Sequence, residues 1–343
     1  MITLTPIYKP DLAQAGKEFF NPEFLTQRLA RDGHWHGSGA RLLRLANPVE
    51  PATFAALLRE AEKARPKRAP GRRSEAPHPL GWRLTFDTPP RLNALWATAD
   101  RGRGLLLEQG HTLGVKESLY RMEWLLAKAQ TARRLQTEEI KPGCVLAAFR
   151  TGASADQTPR LTTTVFLFNL NVGNKGEPQA FTNEEVHRVV KALDPFYKDA
   201  RDTAIRERLG PIPTFDHRDQ KLARAAKSLD AHVAAQAQSL TADYPTLAPM
   251  PRHEHRRWQH KRWRRQGERI GWGPNETLAY LDRCQRQQAW ARLTQGFRNK
   301  LATGVAQLRR VVTRSTPTLA ASLTPAPATQ PAPATVKRHT HSY

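Results

Sequence analysis

The sequence predicts an α+β protein in which an antiparallel sheet with flanking helices is followed by a helical lobe and a disordered tail. Residues 144–149 and 161–169 are β-rich runs joined by a polar turn, which predicts a central hairpin. Residues 82–86 alternate apolar and polar side chains and predict a further strand. Segments with helical apolar spacing separate and follow these strands, and they dominate the C-terminal third.

The N-terminal elements are predicted from their apolar spacing. Residues 3–31 should hold a short strand and then a helix that carries several phenylalanines. Pro51 begins an amphipathic helix that ends near Lys63. Residues 91–99 and 103–132 read as helices, the second of them long and amphipathic.

The later elements are predicted from caps and breakers. Thr182 to Glu185 have the form of a capping box, and the helix that they open should run to Leu209, before Gly210 and Pro211. Further helices are predicted at 217–239, 252–269 and 275–312. The tail from Ser315 is rich in proline, alanine and threonine and is predicted to be disordered. We therefore expect a first domain at 1–250, a basic helical lobe at 251–314 and a tail at 315–343.

The composition favours a polyanionic partner. The chain has 343 residues, with 54 Lys and Arg against 31 Asp and Glu, a formal net charge of +23. Nucleic acid is the commonest partner of such a protein, although a merely basic soluble protein is the alternative.

Cys144 and Cys284 are far apart, which indicates neither a disulfide framework nor a zinc finger. The N-terminus lacks an apolar h-region, and no apolar run approaches ~18 residues, so we expect neither a secretion signal nor a membrane span. We expect a cytoplasmic protein with no cofactor and no membrane partner.

One basic segment, residues 252–269, combines eight Lys or Arg with two Glu and two tryptophans. Cations on a helix can follow phosphates while indoles stack on unpaired bases. Alternatively, the tryptophans anchor the helix to the core and the cations face water. His253 and His255 point about 200° apart on a helix and cannot share a metal ion. The predicted DNA contacts in this segment are Arg256, Arg257, Trp258, Lys261, Trp263, Arg264 and Arg265.

A second basic segment, residues 63–79, combines Arg65, Lys67, Arg68, Arg72 and Arg73 with proline and glycine. Such a composition disfavours regular structure. The segment is interpreted either as a clamp on a phosphate backbone or as an inert loop.

Two strand sequences carry a family resemblance. Phe149-Arg150-Thr151 ends the first strand, and Leu161-Thr162-Thr163-Thr164 begins the second. They resemble the core strands of conjugative relaxases of the TrwC/TraI (MobF) type, in the HUH endonuclease superfamily. In that family the strands read Phe-Arg-His and Leu-His-Thr-His, and the three imidazoles bind one divalent metal ion. The matching positions here are Thr151, Thr162 and Thr164, and a neutral hydroxyl is a weak ligand. The alternatives for Thr162, Thr163 and Thr164 are ordinary strand packing and hydrogen bonding to a phosphate.

Other positions of the family frame are also changed. Residues 33–40 resemble the family's Trp-x-Gly-x-Gly-Ala turn, and residues 81–92 resemble its strand-to-helix passage. The family's aspartate falls on Arg83, and its Pro-Lys falls on Pro90-Arg91 or Pro89-Pro90. The nucleophilic tyrosines fall on Phe19, Phe20 and Phe24, which have no oxygen to attack a phosphate.

The resemblance implies a palm-shaped relaxase-like fold without relaxase chemistry or a metal site. We expect noncovalent binding of single-stranded or hairpin DNA in plasmid conjugation or mobilisation, beside an active relaxase or other conjugation proteins. Arg91 and Arg150, which lie in the family frame, are added as DNA contacts. Two alternatives remain: a protein-interaction subunit without DNA affinity, and an active nuclease with an unconventional nucleophile.

Overall fold

A five-stranded antiparallel sheet lies at the centre of the fold. The structure is a computed structural model, and it describes residues 1–8, 33–64, 78–134, 141–154, 156–173, 179–210, 220–240 and 252–315. The strands are β1 (Ile2–Ile7), β2 (His34–His36), β3 (Gly81–Asp87), β4 (Cys144–Ala153) and β5 (Pro159–Asn171), in the order β1-β3-β5-β4-β2. The β4 and β5 strands pair antiparallel, which confirms the predicted hairpin.

The described residues also form eight helices, and the predicted helices within them are confirmed to within a few residues. The helices are α1 (Ser38–Leu42), α2 (Pro51–Lys63), α3 (Pro90–Thr98), α4 (Arg101–Arg134), α5 (Asn183–Leu209), α6 (Gln220–Leu240), α7 (Arg252–Arg269) and α8 (Pro274–Ser315). The helix predicted before residue 31, most of the basic segment at 63–79 and the predicted disordered tail lie outside the described residues.

The predicted capping box explains where α5 begins. The Thr182 hydroxyl accepts from the amide of Glu185 at 3.2 Å, and the Glu185 carboxylate accepts from the amide of Thr182 at 2.8 Å. These two bonds satisfy amide donors that the first turn leaves without helical partners. Gly210 follows the last turn with a φ of 83°, which glycine adopts without strain.

Each face of the sheet carries its own apolar core. One face, with Trp82, Leu84 and Phe86 of β3, is covered by α4 and α5. Close approach of these two helices depends on small residues, since a Cβ at Gly114 would lie 2.8 Å from the Cβ of Arg201. The opposite face is covered by α2, whose Phe54 ring lies 5.0 Å from that of Phe166.

A third core lies among helices. It joins α3 and α6 to α7 and the first turns of α8, and its largest side chains include Trp96, Trp263 and Trp272. The chain divides into two compact units, Met1–Ala289 and Trp290–Tyr343, so α7 belongs to the first unit. No helix in the described part of the chain is both long and apolar enough to cross a bilayer.

Candidate nucleic-acid interface

The three threonines at the family's metal positions lie on one face of the sheet. Thr151 pairs directly with Thr162, and Thr164 is two residues further along β5. Phe166 follows Thr164 by two residues on β5 and shares its face, and Arg83 lies on that face too because it pairs directly with Phe166. Thr151 and Thr162 are buried, at 7% and 5% exposure. The strand register thus brings together the positions that the sequence resemblance assigned to one site.

Asp87, the carboxylate beside these threonines, is paired with side chains of the same protein. Asp87 accepts from the Arg160 guanidinium at 3.2 and 2.9 Å and from the Thr162 hydroxyl at 2.7 Å. This bidentate geometry is the strongest that a guanidinium makes with a carboxylate. The Thr162 hydroxyl therefore already makes a hydrogen bond, and the Asp87 carboxylate that could bind a metal ion is instead paired with the Arg160 guanidinium.

This donor set does not fit a divalent metal ion. Two buried hydroxyls and a carboxylate paired with arginine offer no imidazole or thiolate donor and little free anionic charge. Among the described residues, no group of three His, Cys, Asp or Glu side chains is placed to share a metal ion. Phe19, Phe20 and Phe24, at the expected nucleophile positions, lie outside the described residues.

A large cleft opens on the other side of the sheet. It has a volume of about 1070 Å³, and it is lined by β2, β4 and β5 of the sheet, by α4 and by α7. Six of its lining side chains are cations and two are carboxylates, so its walls are strongly positive. The cations are Arg101, Lys116, Arg150, Arg257, Lys261 and Arg264.

Four of these cations point into solvent. Arg101, Lys116, Arg257 and Lys261 are exposed, and no ion pair joins them to another described residue. Such side chains are available to phosphates at little cost in desolvation. Arg150 differs, because its guanidinium lies 3.7 Å from the buried Glu108 carboxylate.

The predicted DNA contacts divide into two groups. Arg150, Arg257, Lys261 and Arg264 line the cleft. Arg264 also donates to the Ala99 carbonyl at 3.0 and 2.6 Å, so it fastens α7 to the end of α3. Arg91 and Trp258, which are half-buried, and Arg265, which is exposed, are not among the described residues that line the cleft, and the side chain of Arg256 lies outside the described part of the structure.

The prediction that Trp263 contacts DNA is wrong. Its side chain is 1% exposed, and the indole nitrogen donates to the Gln157 carbonyl at 3.0 Å. Its ring lies 5.3 Å from that of Trp96 and 5.1 Å from that of His260. No base can stack on an indole that is enclosed on all sides. Of the two alternatives stated for this tryptophan, the structure supports the anchor.

A buried histidine beneath the cleft was missed by the sequence analysis. His111 of α4 is fully buried, with Nε2 lying 2.8 Å from the Thr163 hydroxyl and Nδ1 lying 2.9 Å from the Tyr197 hydroxyl. Thr163 lines the cleft, so the histidine supports its floor. The spacing of Leu107, His111 and Val115 along one helix face was the signal that could have identified it.

The protonation of this network follows from its burial. Desolvation lowers the pKa of His111 to about 3, with the cations Arg201 and Arg150 adding to the effect. Burial also raises the pKa of Tyr197 to about 12. Both groups are therefore neutral near pH 7. The Tyr197 hydroxyl donates to the Asp87 carbonyl at 3.4 Å, which leaves its oxygen free to accept from His111, while Nε2 accepts from Thr163.

We expect acid to destabilise the protein partly through His111. Its folded pKa lies below the unfolded value of about 6.5, so the unfolded chain takes up a proton first and stability falls as the pH drops towards 3. From about pH 7 to pH 5, His111→Gln should lose about 2 kcal/mol less unfolding free energy than the native chain. Urea unfolding at both pH values measures this, and an equal loss in the two proteins would contradict it.

Comparison with known proteins places these features in a family. The TrwC relaxase family model matches residues 13–266. A solved metal-free complex of the conjugative relaxase TrwC with OriT DNA is 17% identical, with a TM-score of 0.50, and a metal-bound complex is 18% identical with the same TM-score. A further TrwC complex with OriT DNA is 18% identical, with a TM-score of 0.52.

Each of these three alignments covers 79% of this chain and 99% of the solved chain. At this identity the structures show a shared fold. No curated protein matches the chain. The family model, by contrast, spans well over half of the sequence. The chain therefore belongs to the TrwC relaxase family.

Proposed function

We propose that this protein binds single-stranded or hairpin DNA noncovalently and does not cut it. The observation that carries the proposal is the arrangement around Asp87, where threonines stand at the metal positions and Arg160 holds the carboxylate. A relaxase needs a Lewis acid to polarise the scissile phosphate and a tyrosine to attack it. Among the described residues, this face of the sheet offers no imidazole for a metal ion, and in the sequence phenylalanines occupy the expected nucleophile positions.

DNA binding is supported by the cleft. Its exposed cations, together with the net charge of +23, provide the electrostatic attraction that dominates affinity for nucleic acid. The similar solved structures are complexes with OriT DNA, which supports DNA as the ligand of this fold. On this proposal the protein acts in plasmid conjugation or mobilisation, where it masks an origin or assists an active relaxase.

The protein is expected neither to nick DNA nor to form a covalent adduct with it. The purified chain is incubated with single-stranded DNA and Mg²⁺ or Mn²⁺, and products are separated under denaturing conditions. We expect intact DNA and no protein–DNA adduct, because threonines stand at the metal positions and Arg160 pairs with Asp87, a donor set that does not suit the required metal ion. An adduct that maps to any of the six tyrosines of the chain would overturn the proposal and support a nuclease with an unconventional nucleophile.

A variant with histidines at the three metal positions provides the positive control for the metal-binding measurement. Thr151→His, Thr162→His and Thr164→His place three imidazoles on one sheet face, where directly opposed Cβ atoms lie about 5 Å apart and diagonal neighbours about 7 Å apart. Arg160→Ala in the same chain frees Asp87. Calorimetry with Zn²⁺ should show a site in this variant and none in the native protein. Tight metal binding by the native protein would contradict the assignment of the threonines.

A further inference from the structure

The last part of α8 exposes a row of large apolar side chains. Trp290, Leu293, Phe297, Leu301 and Val305 are 70%, 70%, 66%, 54% and 52% exposed. They all belong to the second unit of the chain, residues 290–343. Single exposed apolar residues are ordinary on protein surfaces, but a contiguous group marks a site of interaction. We call these five residues the apolar stripe.

The stripe follows the period of the helix. Its members are separated by three or four residues, so all five fall within an arc of about 120° on a helix with 3.6 residues per turn. Leu308 and Val312 continue the same spacing in the sequence. Between Trp290 and Val305 one face of α8 is therefore apolar, and the residues opposite it are polar or small.

The charges around the stripe are all positive. Residues 290–315 contain six Lys or Arg and no Asp or Glu, and no acidic residue follows Asp282 anywhere in the chain. Arg298 and Lys300 lie about 80° to either side of Trp290, which places one cation at each border of the stripe. At a border, a long side chain can lay its methylenes along an apolar surface and keep its charge in a polar layer.

We propose that residues 290–315 form an interfacial helix that binds the surface of a membrane containing anionic lipids. A basic amphipathic helix with tryptophan, phenylalanine and leucine on its apolar face has the chemistry that this environment selects. The sequence predicts no membrane partner because it contains no apolar run long enough to span a bilayer. A helix that lies in the plane of the interface needs no such segment.

Other occupants fit the stripe less well. A second copy of the chain would bring two rows of cations together without an acidic residue to pair them, and like charges repel. Nucleic acid would match the cations, but the aliphatic side chains of Leu293, Leu301 and Val305 offer no ring on which a base can stack. Anionic lipid satisfies both the apolar stripe and its charged borders.

The test separates apolar insertion from simple charge attraction, since any protein of this charge binds anionic vesicles at low salt. The full chain is sedimented with phosphatidylcholine vesicles, with and without phosphatidylglycerol, at low salt and at about 1 M salt, where the Debye length is about 3 Å. We expect binding to the anionic vesicles that persists in part at high salt. Absence of binding at high salt would overturn the proposal.

A charge-neutral variant locates the binding. Leu293→Ala, Phe297→Ala and Leu301→Ala together keep every cation and favour the helix, and they should lower vesicle partitioning at high salt by about 100-fold or more. The control replaces three exposed apolar residues elsewhere, Leu42, Tyr120 and Trp124, by alanine and should retain binding. Equal loss or equal retention in the two variants would overturn the proposal.

Two further readouts identify the occupant. Brominated lipid should quench the fluorescence of the native chain, and Trp290→Phe should bind equally well with less quenching. If Trp290→Phe leaves the quenching unchanged, the stripe does not enter the lipid. If the triple variant instead changes the sedimentation coefficient of the lipid-free protein, the stripe joins two copies, and if it lowers only DNA affinity, the stripe binds nucleic acid. Either result would replace the membrane proposal.

Discussion

Replacing the four exposed cleft cations by alanine is expected to lower affinity for single-stranded DNA by about 100- to 1,000-fold near 0.1 M salt. The residues are Arg101, Lys116, Arg257 and Lys261. Each phosphate contact contributes about 0.7 to the slope of log K against log salt, so the slope should flatten by about 3. Stability should hardly change, because exposed cations contribute little to folding.

Fluorescence anisotropy at several salt concentrations measures both quantities. For the native chain we expect a slope of about −4 to −7, as for six to ten phosphates neutralised on a single strand. The control variant replaces four exposed cations that lie outside the cleft, Arg59, Arg188, Lys191 and Lys227. An equal loss in both variants would show that total charge, rather than the cleft, governs binding.

If the native chain had no measurable affinity for DNA at low salt, the proposal that it binds DNA would be wrong. That result would favour the alternative in which the protein is an interaction subunit that has lost DNA binding together with chemistry. The basic segment at residues 63–79 is the next candidate if the native chain binds and the cleft variant binds equally well.

Local patterns were sufficient to predict most of the secondary structure. The alternation in residues 82–86 reflects a strand whose apolar side chains all face the core beneath α4 and α5, and β3 follows it closely. The capping box at Thr182 fixed the start of α5, because both of its hydrogen bonds join residues three apart in the chain. Such signals predict the folded structure because they depend only on residues that are close in sequence.

The threonine site on one face of the sheet and the cleft on the other depend on contacts between residues that are distant in sequence, which local patterns do not predict. The Arg160 guanidinium meets Asp87 across 73 residues of sequence, and His111 meets Tyr197 across 86. The resemblance to relaxase strands placed Thr151 and Thr162 in one site, and the register of β4 and β5 supplied the geometry. The basic cleft was foreseen only as a basic helix, because its other wall comes from α4 and the sheet.

Trp263 shows where composition misleads. Tryptophans among arginines are typical of a surface that binds nucleic acid, but the same pattern arises when an indole anchors a basic helix to a core. Spacing along α7 does not separate the two cases, since Trp258 and Trp263 are five residues apart and point about 140° apart, and the spacing does not say which of the two faces is buried. The deciding contacts come from α3 and from Gln157, which are distant in sequence.

Trp263→Ala is therefore expected to lower the free energy of unfolding by about 3 to 5 kcal/mol. The substitution empties the space beside Trp96 and His260 and leaves the Gln157 carbonyl without the indole donor. Urea unfolding at neutral pH measures the change. Trp290→Ala is the matched control, because that indole is 70% exposed and its loss should cost less than about 0.5 kcal/mol.

The DNA affinity of the same variant distinguishes an anchor from a stacking platform. Under conditions where Trp263→Ala remains folded, an anchor leaves the cations of α7 in place, so affinity should stay close to that of the native chain. Trp258, which is half-buried, remains the predicted base-stacking residue of this helix. If Trp263→Ala kept its stability and lost about 1 to 3 kcal/mol of binding energy, as removal of a stacked base contact does, the indole would have to leave its buried site when DNA binds.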